Sequence, residues 1–156
     1  MLEAALRHLP RGSGLIYRHY HLPPGARRAR FAALARIARA RGIVVVLAGD
    51  ARQARRWGAD GCYGPPGLVA HGPACARLVS AHDLRELRAA PRADGVLLSP
   101  VFPTRSHPGA RGLGAIRFRL LAARARAPVI ALGGMNSRSA RRLKWPHWAG
   151  IDAFLR

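Results

Sequence analysis

Residues 42–50, GIVVVLAGD, decide the fold. The run Ile43 to Ala48 is apolar throughout and rich in β-branched valine, with Gly42 before it and Gly49 after it. A strand with one wet face alternates apolar and polar residues, and a strand covered on both faces does not, so this run reads as a buried strand of a parallel sheet. It is too short for a core helix. Just upstream, Ala26 to Arg41 places Phe31, Leu34, Ala35 and Ala38 on one stripe at helical spacing and turns Arg36 and Arg39 away from it. Together the two segments predict a helix lying on a sheet.

The same alternation continues in both directions. Gly14 to Tyr17 is a strand candidate before that helix, and Gly61 to Tyr63, Arg77 to Val79, Gly95 to Leu98, Val129 to Leu132 and Ile151 to Phe154 come after it, seven strands in all. Further helices are predicted over His82 to Ala90 with Ser80 as the cap, over Gly114 to Arg126 closed by Pro128, and over Ser137 to Lys144 capped by Asn136. Strands that alternate with helices define an α/β chain with a parallel sheet. No linker, low-complexity tract or break in composition divides residues 1–156, so a single domain is expected. The 156 residues fall short of the roughly 200–250 of a closed eight-fold (β/α) barrel.

Charge is the loudest feature of the composition, with 27 basic residues against 7 acidic ones and a net charge of +20. All the basic residues except Lys144 are arginine, spread along the whole chain without a basic arm, a zinc finger or an aromatic-and-basic RNA-binding strand. They read as decoration of solvated helix faces; nucleic-acid binding is a rival reading carried by charge alone. No apolar run approaches the roughly 20 residues that span a bilayer. The N-terminus, MLEAALRHLP, carries an acid and lacks a signal-peptide core, so a cytoplasmic location is expected. Cys62 and Cys75 are too few for a disulfide framework and stand in no metal-ligand spacing, so both are expected to be buried small hydrophobes. The histidines are scattered and imply no zinc site.

In a parallel barrel the chemistry sits just after the strands. Two such places stand out. After GVLL comes Ser99 to Gly114, SPVFPTRSHPGARGLG, with Thr104, Arg105, Ser106 and His107 close together. After VIAL comes GGMN, where Gly133 and Gly134 let backbone N–H groups approach an anion before a helix. Loops on two successive late strands match the usual phosphate site of such barrels, so a phosphorylated small molecule is the expected ligand.

The run DGVLLSPVFPTRSHPGARGLG with APVIALGGMN resembles the thiamine phosphate synthase and thiazole tautomerase family, in which a G-P-x-F-x-T-x-[ST]-K loop precedes an I-G-G-I turn. LVSAHDLRE is similar to that family's V-S-x-H-[ST]-x-x-E segment, and WGADGCYG to its G-A-D-G-V-H-L-G. The resemblance runs from about Gly14 to Gly134. It implies a TIM (β/α)8-type barrel, lacking the first strand and truncated at the last, because the family opens with an apolar strand where this chain starts in the following helix. On that ground Met1 is expected to be an internal start of a longer product, and a barrel of this chain would leave two unpaired edges. A homo-oligomer that covers them is left open by the sequence.

The resemblance also implies a reaction. The family's synthase joins a hydroxymethylpyrimidine pyrophosphate to a thiazole phosphate with release of pyrophosphate, assisted by Mg²⁺ and basic side chains. By position, Thr104, Ser106, Gly133 and Gly134 would hold the substrate phosphate, and Arg18, Asp50, Ser80 and His107 would act on the pyrophosphate side, with Asp50 as metal ligand. Several positions depart from the family pattern. Ile16 and Tyr20 replace a Gln and a Lys beside Arg18, Gly49 an Asn beside Asp50, and His107 the Lys that ends the phosphate loop. The second Mg²⁺ carboxylate is replaced by Gly67 or Leu68, which makes Mg²⁺ a weak expectation. The tautomerase's His is absent, Pro100 standing in its place. A family member that binds a phosphorylated ligand without turning it over is therefore the alternative to a synthase.

Overall fold

The computed structural model describes residues 1–104, 109, 111–151, 153 and 154. Six strands run parallel in the order in which the chain lays them down: β1 (Gly14–Tyr17), β2 (Val44–Ala48), β3 (Gly61–Gly64), β4 (Ala76–Ala81), β5 (Gly95–Leu98) and β6 (Val129–Ala131). Helices α1 (Leu2–His8), α2 (Pro24–Ala40), α3 (Ala51–Trp57), α4 (Pro66–Val69), α5 (Leu84–Arg88), α6 (Gly114–Ala122) and α7 (Ser137–Leu143) alternate with them. The strands curl into a half-barrel of the truncated TIM type, as the sequence leads one to expect.

From Val45 to Ala48 the apolar character of β2 follows from its two buried faces, while Val44 at its start is exposed. Val45 and Leu47 pack with Phe31, Leu34, Ala35 and Ala38 of α2 in the layer between sheet and helices. Val46 and Ala48 face the concave side with Tyr63 and Leu97, against Ile16, Leu78, Ile130 and Leu132. A second helix layer, around Phe118, Leu143 and Leu98, covers the later strands. Each fully buried Leu or Phe in these layers contributes about 1.5–3 kcal/mol. Helix α2 starts at Pro24, two residues before the expected start at Ala26, because proline at the first helical position has no N–H to lose. Helix α1 lies on α2 through buried Leu6 and an ion pair between Glu3 and Arg30.

The structure corrects the expected seventh strand over Ile151 to Phe154. Ile151 lies in a bend, and Ala153 and Phe154 in turns. The outer edge of β6 is already taken by the preceding segment, where Ala131 N–H donates to His147 O at 2.9 Å and Ala149 N–H to Ala131 O at 2.9 Å. Phe154 instead stacks on Trp148, with ring centroids 5.1 Å apart. A second correction concerns Ser80, which caps no helix. It lies within β4, and α5 is capped by Asp83, whose carboxylate accepts from Glu86 N–H at 2.9 Å. The helix predicted to reach Arg126 ends at Ala122, followed by two tight turns. Cys62 is buried as expected, but Cys75 is half-buried, its Sγ 3.7 Å from that of Cys62.

Candidate functional site

At the C-terminal ends of β5 and β6 the two late loops are sewn together by their backbones. Val101 N–H donates to Leu132 O at 2.9 Å and Phe102 N–H to Gly133 O at 3.1 Å, so the ladder between the strands continues into the loops. The glycines make this possible. A Cβ on Gly133 would lie 2.7 Å from Cα of Pro100, and one on Gly134 2.7 Å from Pro103 O. Both also hold positive φ, 89° and 63°, which side-chain-bearing residues rarely adopt. Glycine here thus serves backbone contact as well as any anion. Asn136 caps α7 and accepts from Arg138 N–H and Ser139 N–H at 3.0 Å each, while Ser139 Oγ accepts from Asn136 N–H. Those first-turn amides are committed to the cap. Thr104 is half-buried next to this turn; Ser106 and His107 lie outside the described residues.

The early strand ends form the other half. Arg18 follows β1 directly and is exposed, its guanidinium carbon 5.9 Å from the Tyr20 ring centroid. The register of Tyr17 with Leu47 puts Arg18 next to Ala48, which pairs with Tyr63. Tyr63, 9% exposed, sits on the concave face of β3. Burial pushes its phenol above the ordinary value, opposed by the charge of Arg18 and by a hydrogen bond with Ser80. The structure thus brings Arg18 and Ser80 to one tyrosine. Tyr63 escaped the sequence reading because it ended an apolar strand; its signal was the inward parity of that last strand position.

Asp50 is the N-cap of α3, its Oδ1 accepting from Gln53 N–H at 2.7 Å. The preceding Gly49 has φ 151°, donates its N–H to Tyr63 O at 3.0 Å, and a Cβ there would meet Gln53 Oε1 at 2.5 Å. The other described carboxylates also have structural work. Asp60 and Asp94 accept from Val45 N–H and Arg77 N–H at the opposite ends of the strands, Asp83 caps α5, Glu86 pairs with His82 and Glu3 with Arg30. No group of three or more His, Cys, Asp or Glu side chains stands together among the described residues. A hard dication wants several oxygen ligands, and this donor set does not fit a Mg²⁺ site built by protein groups. No helix among the described residues is long and apolar enough to cross a membrane.

These features define a parallel α/β half-barrel with its described candidate residues at the C-terminal rim of the sheet. The profile of the family described as thiamine monophosphate synthase matches residues 69–153, more than half of the chain, and the chain belongs to that family. Among solved structures it is similar to thiamine phosphate pyrophosphorylase from Pyrococcus furiosus, with a TM-score of 0.79 and 22% identity over 96% of this chain and 76% of the other. Thiamine phosphate pyrophosphorylase from Bacteroides thetaiotaomicron is also similar, with a TM-score of 0.64 and 18% identity over 95% and 73%. At these identities the likeness speaks to fold. No curated protein matches the chain.

Proposed function

We propose that the chain is a synthase of thiamine biosynthesis that couples a hydroxymethylpyrimidine pyrophosphate to a thiazole phosphate and releases pyrophosphate. The observation that carries this reading is the backbone seam between the loop after β5 and the Gly133-Gly134 turn, which packs the turn closely against Pro100 to Pro103, just before Thr104 in the chain. A glycine turn fixed in this way suits a phosphate held by backbone N–H groups, with Thr104 and Ser106 supplying hydroxyls by their place in the sequence. Across the rim, Arg18 suits the departing pyrophosphate, because a guanidinium fixed where negative charge develops lowers the barrier to bond breaking. The thiazole nitrogen then captures the pyrimidine cation at the carbon that the pyrophosphate leaves. Tyr63 and Ser80 line the floor between the two ends, and His107 belongs to the phosphate loop by sequence position.

The test is an assay of the purified protein with both substrates, with thiamine phosphate and pyrophosphate measured together, alongside complementation of an auxotroph that lacks the synthase. Stoichiometric formation of both products supports the reading, and their absence where a known synthase works removes it. A second reading is favoured by one observation, the structural engagement of every described carboxylate. It makes the chain a binder of a phosphorylated ligand without turnover. That reading expects thiazole phosphate to raise the melting temperature while Mg²⁺ adds nothing.

A further inference from the structure

Arg27, in the first turns of α2, is the one charged side chain buried among the described residues, at 8% exposure. Burying a guanidinium is costly unless its charge is met, and none of the described carboxylates meets this one. Instead Nε donates to Arg18 O at 3.0 Å and Nη2 to Ala48 O at 2.8 Å. The rings of Tyr20, Trp57 and Tyr17 surround it, with their centroids 4.8, 5.1 and 5.9 Å from Cζ. Its own carbonyl accepts from the Tyr17 hydroxyl at 2.9 Å. A planar fork that stacks on rings while donating in two directions suits this place, and a lysine ammonium, a point charge without a planar face, fits it less well.

The two carbonyls are the informative part. One belongs to Arg18 itself, and the other to the residue before Gly49 and Asp50. They close β1 and β2, so a single side chain ties together the two strand ends that carry the pyrophosphate half of the proposed site. The turn after Arg18 needs such a tie, since His19 holds φ at 33° while its ring stacks on Tyr17 at 4.6 Å.

We infer that Arg27 is a positioning residue for the pyrophosphate end of the site, fixing the backbone from which Arg18 reaches the leaving group. This rests on the synthase reading above. The test compares the full-length wild type with Arg27→Lys and Arg27→Gln, folding being checked by circular dichroism. Calorimetry with inorganic pyrophosphate and, separately, thiazole phosphate then reads each half of the site. Arg27→Lys is expected to weaken pyrophosphate binding by about tenfold, the worth of one charge-assisted hydrogen bond, and to leave thiazole phosphate binding unchanged. In turnover the KM of the pyrimidine substrate should rise and that of the thiazole phosphate should not. Equal weakening for both ligands, undiminished pyrophosphate binding, or loss of folding in both variants would each reduce Arg27 to a structural role and overturn the inference. Should the wild type bind neither ligand, the synthase reading itself fails, and the inference with it.

Discussion

At the scale of single residues, the site depends on atoms that are missing. Gly134 can be replaced only by moving backbone, because an added Cβ meets Pro103 O at 2.7 Å and Phe102 Cβ at 2.8 Å. Gly134→Ala is therefore expected to cost about 1–3 kcal/mol in urea denaturation and to abolish the thermal shift given by thiazole phosphate. His19 yields a prediction about pH. Burial first, then the charges of His21, Arg30 and Arg27, lower its pKa in the fold. The unfolded chain binds that proton more readily, so stability is highest above about pH 6.5 and falls as the pH drops below it, levelling off below the folded pKa. Melting curves of the wild type and His19→Asn from neutral to mildly acidic pH check this, the variant losing the part of the slope that His19 causes. A single residue's neighbourhood is what the sequence hides best. Arg27 stands among many arginines and gives no sign of being the buried one, and Tyr63 looks like the end of an apolar run. Gly133 and Gly134 were legible as a tight turn, because adjacent glycines between a strand and a helix mark positive φ or close backbone approach.

At the scale of elements, strands declared themselves and short helices did not. The run at β2 needs no context, since burial of Val45 to Ala48 on both faces forces them to be apolar. Helix α3, ARQARRW, buries only Ala51 and Ala54 and has no apolar stripe to be read. Its ends hold it instead, with Asp50 at one and Gly58 in the left-handed conformation, φ 70°, at the other. The same logic moved the start of α5 from Ser80 to Asp83, since capping needs a free oxygen at the helix end and Ser80 still lies in a strand. Asp50 therefore has a capping duty apart from any chemical one, and two substitutions separate them. Asp50→Asn keeps an oxygen for Gln53 N–H and should leave stability nearly unchanged. Asp50→Ala should cost about 1 kcal/mol. If the negative charge matters to turnover, kcat falls equally in both variants; if only the cap matters, activity follows stability.

At the scale of the whole molecule, charge and sheet set the behaviour. With a net charge of +20 and only the Glu3 and Glu86 carboxylates in ion pairs among the described residues, the folded chain repels itself. Its melting temperature is expected to climb between low salt and about 0.5 M sodium chloride, where screening extends over only a few ångströms. Calorimetric scans across that range check it; a flat response would mean that the surface arginines are spaced widely enough not to interact. The α/β class and parallel sheet lay within reach of the sequence, because periodicity records burial, and the barrel type came from the resemblance of its late loops. The closing of β6's edge by His147 and Ala149 did not, because it is made of backbone hydrogen bonds to which side-chain pattern is blind. The seam that joins the loop after β5 to the Gly133-Gly134 turn is of the same kind. Because it prolongs the sheet's own ladder, its amides should exchange with deuterium as slowly as those of the strands, whether or not ligand is present. A cradle that is already ordered spends little of its binding energy on ordering itself, so affinity for a phosphate there should show a small entropic penalty.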